Sequence, residues 1–170
     1  MNLSDYIKNV PDFPIPGIQF KDITPLLGDG AAFAQAVEEL AAFGRKVGAE
    51  VVIGPDARGF IIGSAVAHAL GAGFVPVRKP GKLPRETIQY DYDLEYGKNT
   101  LCMHKDALKP HQKALIVDDL LATGGTVQAT VKLVQAAGAE VAGLGFLIEL
   151  EELGGRARLS AYPLEALIKY

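Results

Sequence analysis

Short apolar runs alternate with stretches of helical periodicity along most of this 170-residue chain. Apolar residues spaced three and four apart predict amphipathic helices, and short runs rich in β-branched residues predict strands. The pattern predicts helices at about 31–46, 59–70 and 126–137, and strands at 51–54, 74–78, 101–105, 114–117 and 141–150. The strand at 101–105 alternates apolar and polar residues, so we expect it to be half exposed.

This alternation of strands and helices predicts right-handed βαβ units around a mostly parallel sheet. The fold class is therefore α/β, with a mostly parallel central sheet flanked by helices. Ligands of such sheets bind beyond the carboxyl ends of the strands. The connections that deserve a search for functional residues are then 54–59, 78–96 and 118–126.

The length of the chain favours one domain over residues 1–170. Three prolines within 11–17 exclude a continuous helix there and predict an irregular surface segment. The segment 79–96 is polar and long for a connection inside a compact domain. We therefore expect it to be a functional or mobile loop.

Composition removes several classes of function. The net charge of -3 argues against a nucleic-acid binder, which usually carries a basic excess. A single cysteine, Cys102, excludes an intrachain disulfide and favours a cytoplasmic protein. The histidines and Cys102 lack zinc spacing. Residues 1–4 do not resemble a signal peptide, and the longest apolar stretch, at 59–70, is too short to span a bilayer, so we expect no membrane association.

The segment 114–126 reads A-L-I-V-D-D-L-L-A-T-G-G-T, an apolar strand that ends in two carboxylates, with a glycine turn before the next helix. Glycines let backbone N–H groups approach an anion closely, and the helix N-terminus adds N–H donors with a favourable dipole. The hydroxyls of Thr123 and Thr126 are further donors. Asp118 and Asp119 are suited to accept hydrogen bonds from vicinal sugar hydroxyls. Together these groups predict a ribose 5-phosphate site.

This interpretation has alternatives. Consecutive strand residues point to opposite faces, so both aspartates reach one ribose only if the chain leaves the strand near Asp119. An acidic, solvated strand end followed by a helix N-cap at Thr123 or Thr126 would give the same residues. Other phosphate motifs fit worse, because G-x-x-x-x-G-K-[ST] is absent and the glycines at 143 and 145 lack the third glycine of a dinucleotide fingerprint.

Val117–Thr126 resembles the motif with which type I phosphoribosyltransferases bind 5-phosphoribosyl 1-diphosphate (PRPP). The resemblance implies the α/β fold of that family, with a small N-terminal hood at about 1–28 and a flexible lid loop at about 79–96. It implies that Asp118 and Asp119 hold the ribose hydroxyls. It further implies that the 5-phosphate is bound by Ala122, Thr123, Gly124, Gly125 and Thr126.

Two further segments resemble the pyrophosphate-binding parts of that family. Gly54–Phe60 joins a strand to a helix and resembles its pyrophosphate loop, in which relatives often have a cis peptide after the residue matching Asp56. Taken alone, an Asp N-cap beside a surface Arg is the alternative. Residues 78–85 carry four positive charges and resemble a lid that neutralises pyrophosphate and excludes water, whereas a solvated basic loop is the alternative. The resemblance implies a pyrophosphate site at Asp56, Ala57, Arg58, Arg78, Lys79 and Lys82.

Phe13–Thr24, the run R-K-P-G-K-L-P and the run Leu94–Gly97 resemble the adenine-specific members of the family. The resemblance implies that Phe20 stacks on the base while the backbone near Gln19 and Lys21 reads its edge. A buried anchor is the alternative role for Phe20. Position 21 carries arginine in many relatives, and lysine keeps the charge but not the bidentate geometry.

The base also needs a proton donor and acceptor. Members that act on 6-oxopurines usually carry an acidic residue where this chain has Ala122. Another segment must then supply the group, and Glu95 in the lid is the candidate catalytic acid/base at purine N7. Tyr96 is the second candidate, and a turn-capping role is the alternative for Glu95.

The resemblance implies that adenine and PRPP give AMP and pyrophosphate in purine salvage, by a homodimer. It also implies Mg²⁺ held mainly by substrate oxygens and water, so we expect no dedicated metal ligand in the protein. Xanthine and orotate enzymes also lack the acid at Ala122, which leaves other bases open. A PRPP-sensing repressor would need an added DNA-binding domain, for which this acidic chain has no room.

Overall fold

A computed structural model describes residues 1–94 and 97–170 of the chain. The helices are α1 (Thr24–Gly28), α2 (Gly30–Lys46), α3 (Arg58–Leu70), α4 (Gly125–Ala136) and α5 (Gly155–Arg158). The strands are β1 (Lys8–Pro11), β2 (Gln19–Asp22), β3 (Val51–Pro55), β4 (Gly73–Val77), β5 (Thr87–Leu94), β6 (Gly97–His104), β7 (Lys113–Leu121), β8 (Glu140–Glu149) and β9 (Leu164–Lys169).

The central sheet has the strand order β4–β3–β7–β8–β9, and every neighbouring pair in it is parallel. Strand alternation divides the core between its two faces. Val51 and Ile53 pack in the cluster that contains α4, whereas Val52 packs in the cluster that contains α2 and α3. This arrangement confirms the predicted α/β fold with helices on both faces of a parallel sheet.

The predicted helices are confirmed to within one residue at each end. Asp29 begins α2, because its side chain accepts a hydrogen bond of 2.9 Å from the Ala32 N–H. Gly71 follows α3 with a φ of 65°, a left-handed conformation that favours glycine. These local signals fixed the helix ends, so little tertiary information was needed to find them.

The prediction of a loop over 79–96 is wrong for Thr87–Leu94, which forms β5 and pairs antiparallel with β6. Ile88, Tyr90 and Tyr92 alternate with polar residues at the period of a strand, but the charges between them suggested a loop. The expected half-exposed strand at 101–105 is also corrected. Its first three residues are buried, because the hairpin of β5 and β6 packs against α4 and β4.

The N-terminal region contains more regular structure than predicted. β1 and β2 form a small antiparallel sheet, with Lys8 opposite Asp22 and Pro11 opposite Gln19. The proline-rich connection between these strands is irregular, as expected, and α1 follows β2. β9, in the region after Arg158 that the pattern left unassigned, adds an edge strand parallel to β8. Within the described ranges, no helix is long and apolar enough to cross a membrane.

Candidate active site

The carboxyl ends of β3 and β7 open a gap in the sheet. β7 pairs with β3 only as far as Ile116, but it continues beside β8 to Leu121. The condition that the chain leaves the strand near Asp119 is therefore not met. The edge of β7 that faces β3 is instead unpaired at the two aspartates, which gives the first residues of α3 room to approach them.

Asp118 and Asp119 both line one cavity of about 200 Å³, together with Arg58. The Asp119 side chain accepts a hydrogen bond from Arg58 Nε at 2.5 Å, and the residue is only 6% exposed. The Asp119 N–H donates to Asp118 Oδ1 at 2.8 Å. The two carboxylates thus meet at one site, although they lie within a continuous strand.

The pKa values of Asp118 and Arg58 are both raised, but for different physical causes. Burial, followed by the negative charge of Asp119, raises the pKa of Asp118 well above its ordinary value, and Arg58 only partly opposes this. Burial alone would lower the pKa of the Arg58 guanidinium. The hydrogen bond to Asp119 and the two nearby negative charges raise that pKa instead. The cavity therefore favours ligands that donate hydrogen bonds to carboxylates.

The turn after β7 lines the same cavity. α4 begins at Gly125, and its N-cap is Gly124 with a φ of 90°; no side-chain cap is formed within the described residues. The alternative in which Thr123 or Thr126 caps this helix is therefore not what the structure has. Backbone N–H groups at the first turn of α4 remain available to an anion.

The chain at the start of α5 lies directly against this turn. A Cβ at Gly155 would lie 2.5 Å from the Ala122 carbonyl oxygen, so only glycine permits this approach. Arg156, the next residue, donates to Glu149 at the end of β8 through Nη2 at 2.6 Å and through Nε at 3.0 Å. Glu149 is 3% exposed, and the Arg156 hydrogen bonds lower the pKa of its carboxyl group. Sequence reasoning missed this support, since nothing local links the residues to the loop.

A second cavity, of about 350 Å³, lies between the turn after β3 and the β5–β6 hairpin. The Asp56–Ala57 peptide is cis, as the resemblance implies. Asp56 accepts a hydrogen bond from Arg78 Nε at 2.9 Å and does not cap α3, which has no side-chain cap in the described structure. The cavity is lined by six of the residues assigned to phosphate groups, namely Asp56, Ala57, Arg78, Lys79, Lys82 and Thr126. Arg58 instead faces the first cavity.

The hood presents its candidate residues on two faces of β2. The Phe20 ring meets the Phe13 ring edge-on at a centroid distance of 5.1 Å, and Arg58 Cζ lies 5.7 Å from the Phe20 centroid. Gln19 and Lys21 line a different cavity, of about 510 Å³. Lys21 donates to Asn9 Oδ1 at 3.0 Å. Phe20 thus lies beside Arg58, the hydrogen-bond partner of Asp119.

Two site residues escaped the sequence analysis, Tyr92 of β5 and Asn99 of β6. Both line the second cavity, and the Tyr92 hydroxyl lies 3.3 Å from the Thr126 hydroxyl. Because the segment was interpreted as a loop, the strand pairing that brings them there was not predicted. Glu95 and Tyr96, the candidate acid/base residues, lie outside the described residues.

Comparisons with known proteins agree with this geometry. Residues 26–166 match the family model described as phosphoribosyl transferase domain. The adenine phosphoribosyltransferase of Brevibacillus brevis is 51% identical over the whole of both chains. The crystal structure of the Thermoanaerobacter pseudethanolicus adenine phosphoribosyltransferase has a TM-score of 0.95 and 50% identity, covering 99% of this chain and 98% of that one.

A third match is the crystal structure of the Giardia lamblia enzyme in complex with 9-deazaadenine. Its TM-score is 0.92 at 38% identity, covering 100% of this chain and 98% of that one. These comparisons confirm the family resemblance carried by the motif at Val117–Thr126. The chain belongs to the phosphoribosyltransferase family and, within it, to the adenine phosphoribosyltransferases.

Proposed function

We propose that this chain transfers the phosphoribosyl group of PRPP to N9 of adenine at the carboxyl ends of β3 and β7, yielding AMP and pyrophosphate for purine salvage. The position of Thr126 is the main support for placing PRPP at these strand ends. Thr126 lines both the cavity of the two aspartates and the cavity of the basic side chains. PRPP has a phosphate monoester at one end and a pyrophosphate at the other, so two adjoining anion sites match it.

In this proposal the first cavity holds ribose 5-phosphate. The N–H groups of Gly124 and Gly125 and the hydroxyls of Thr123 and Thr126 bind the phosphate, with Ala122 completing the turn. The carboxylates of Asp118 and Asp119 accept hydrogen bonds from the ribose hydroxyls. Support comes from the shared lining of one cavity and from the raised pKa of Asp118, since hydroxyl donors relieve a crowded carboxylate pair.

The second cavity is proposed to hold pyrophosphate, with Arg78, Lys79 and Lys82 as cations around the turn at Asp56 and Ala57. Arg78 is paired with Asp56, and pyrophosphate oxygens would replace that carboxylate as its partner. Arg58 is proposed to serve both ends of the substrate from its position beside Asp119. The segment 79–86 is proposed to close over the ligand and exclude water.

The base is proposed to lie against Phe20, with its edge toward the backbone of Gln19 and Lys21. The support is the direction of the Phe20 ring, which faces Arg58 and the ribose cavity. The relative from Giardia was crystallised with 9-deazaadenine, an adenine analogue, and shares the fold over the whole chain. Ala122 offers no acid to a 6-oxopurine, which favours adenine.

The transfer forms the bond from N9 to the anomeric carbon and breaks the bond from that carbon to a pyrophosphate oxygen, through an oxocarbenium-like transition state. The N9 proton of adenine must leave during the reaction. Glu95 is proposed as the group that manages the proton at the purine ring, with Tyr96 beside it, and both remain sequence-based assignments. Glu95→Ala should lower kcat by about 10²–10⁴-fold and leave PRPP affinity nearly unchanged.

We propose that Mg²⁺ is held at this site mainly by substrate oxygens and water. Mg²⁺ commonly keeps several waters and binds substrate phosphates with one or two carboxylates nearby. When bound, it neutralises charge on the leaving pyrophosphate, whereas Asp118 and Asp119 orient the ribose.

Incubation with PRPP, Mg²⁺ and one base at a time tests the proposal. Adenine should give AMP with the highest kcat/KM among adenine, guanine, hypoxanthine, xanthine and orotate. An Asp118→Asn/Asp119→Asn variant is the control for activity from contaminants, because it keeps the size of both side chains. A higher kcat/KM for any other base would contradict the adenine assignment.

We further propose a cytoplasmic homodimer organised as one domain per chain. The chain has one cysteine, the free Cys102, which supports the cytoplasmic assignment. The resemblance to the adenine-specific branch supports the homodimer. Sedimentation velocity of the purified protein should give twice the mass of one chain. A monomer across the micromolar range would contradict the dimer.

A further inference from the structure

A chain of three hydrogen bonds leads from the hairpin to the turn after β7. The Thr100 N–H donates to Asn99 Oδ1 at 3.1 Å, and Asn99 Nδ2 donates to the Tyr92 hydroxyl at 3.0 Å. The Tyr92 hydroxyl in turn lies 3.3 Å from Thr126 Oγ1. These residues connect β5 and β6 to the first turn of α4.

The donors in this chain have one consistent direction. Because the Thr100 N–H can only donate, it requires the oxygen of the Asn99 amide on its side, and the amide nitrogen therefore faces Tyr92. The Tyr92 oxygen accepts from that nitrogen. Either hydroxyl can donate in the Tyr92–Thr126 pair, and donation from Tyr92 to Thr126 Oγ1 continues the direction of the two preceding bonds. The Thr126 hydrogen is then free to point elsewhere.

The Tyr92 ring also lies against the loop that presents Thr126. A Cβ added at Gly125 would lie 3.6 Å from Tyr92 Cε2, in ordinary van der Waals contact, so the ring lies beside that glycine. The ring is half-buried and packs against the main core cluster, which holds it in place. Strand β5 thus places the hydroxyl beside Thr126.

We infer that Tyr92 is a positioning residue for the 5-phosphate: it accepts from Asn99, donates to Thr126 Oγ1 and thereby directs the Thr126 hydrogen toward the phosphate. This inference rests on the proposed role of Gly124–Thr126 as the phosphate site. Hydrogen bonds in such a chain polarise one another, and a donor to a charged phosphate gains most. The hairpin therefore contributes to phosphate affinity without touching the phosphate.

Tyr92→Phe removes the hydroxyl and keeps the ring that packs against the core cluster beside Gly125. Calorimetry should compare the affinities of AMP and adenosine, which differ only in the phosphate. We expect Tyr92→Phe to weaken AMP about three- to tenfold, the loss of one hydrogen bond, and to leave adenosine affinity unchanged. Tyr90→Phe is the matched control, because Tyr90 lies on the same strand, is 38% exposed and should change neither affinity.

Asn99→Ala tests whether the hydrogen bonds from Asn99 through Tyr92 to Thr126, here called the relay, act as one unit. If they do, Asn99→Ala should weaken AMP binding on its own but add nothing to the effect of Tyr92→Phe, because both substitutions interrupt the same series of hydrogen bonds. Additive losses would show two independent contributions and overturn the relay. Equal losses for AMP and adenosine would show a general packing role for Tyr92 and would also overturn it.

The two proposals fail in different ways. If the unmodified protein binds AMP no more tightly than adenosine, the phosphate site at Gly124–Thr126 is wrong and the relay falls with it. If the unmodified protein prefers AMP and Tyr92→Phe binds AMP within twofold of it, the phosphate site stands and the relay alone is wrong.

Discussion

The two proposed anion sites are built in different ways. The turn after β7 offers backbone N–H groups and hydroxyls, and it is backed by Gly155 at a distance that only glycine permits. The site beside β3 offers charged side chains, and Arg78 is paired with Asp56. Backbone donors are held by the fold of the turn, whereas a side chain that has an internal partner must exchange it for a ligand. The first should depend on packing beneath it and the second on charge.

The largest expected effect concerns the support of the first site. Arg156→Ala leaves the buried Glu149 carboxylate without its partner and should lower the free energy of unfolding by about 2–3 kcal/mol, less than for a fully buried pair because 43% of the Arg156 side chain is exposed. Urea denaturation measures this. Arg45→Ala, at an exposed pair, is the control and should cost under about 0.5 kcal/mol.

The same pair predicts a pH dependence. The lowered pKa of Glu149 stabilises the fold above the ordinary pKa of a glutamate, and this stability is lost as the pH falls through the lowered pKa. Arg156→Ala should therefore flatten the acid side of the stability profile. An unchanged profile in the variant would show that Glu149 does not depend on Arg156.

Gly155→Ala should separate the two sites. The added methyl group would meet the Ala122 carbonyl oxygen, a backbone atom that cannot move without displacing the phosphate turn. Overpacking of this kind costs about 1–3 kcal/mol. We expect a loss of roughly tenfold or more in AMP affinity, with pyrophosphate affinity kept. Gly73→Ala is the control, since a Cβ there would meet nothing within 4 Å.

Arg78→Gln should have the opposite selectivity. Removing one charged donor should weaken pyrophosphate by about tenfold, with the freed Asp56 adding repulsion, while AMP binding stays the same. Added salt should weaken pyrophosphate more than AMP, because charged side chains near the surface are screened. Arg45→Gln is the control, because Arg45 forms an exposed pair with Glu38 on α2 and lines neither cavity. Equal losses for both ligands would remove the distinction between the sites.

The smallest effect is a gain in stability. Asp118→Asn should stabilise the ligand-free protein by about 1 kcal/mol at neutral pH, because it removes one of two crowded carboxylates while its amide oxygen can still accept from Asp119 N–H. The folded protein holds the Asp118 proton more tightly than the unfolded chain. Stability should therefore fall as the pH rises from the ordinary aspartate pKa toward the raised pKa of Asp118.

Thermal unfolding across that pH range compares the variant with the unmodified protein. The stability of Asp118→Asn should not fall over this pH range, and the variant should bind PRPP more weakly. The exposed Asp93→Asn serves as the control and should keep the decline. A variant that is less stable at neutral pH would mean that Arg58 compensates the pair completely.

Local sequence identified the first site better than the second. Glycines and hydroxyls next to one another after a strand already describe an anion turn, so Ala122–Thr126 could be predicted as a unit. The basic run at 78–85 could equally have been a solvated loop, and its residues acquire a common role only where they line one cavity. The β5 strand was missed because charged residues hid its alternation.

The sequence by itself determined the alternation of helices and strands, the positions of the helix ends and the chemical types available at each turn, because these depend on neighbours a few residues apart. Only the tertiary structure decided that Arg58 meets Asp119, that Arg156 and Gly155 support the turn at Ala122, and that Tyr92 reaches Thr126. These contacts join separate elements through strand order and hairpin packing. Residues that meet in this way leave no periodic pattern along the chain.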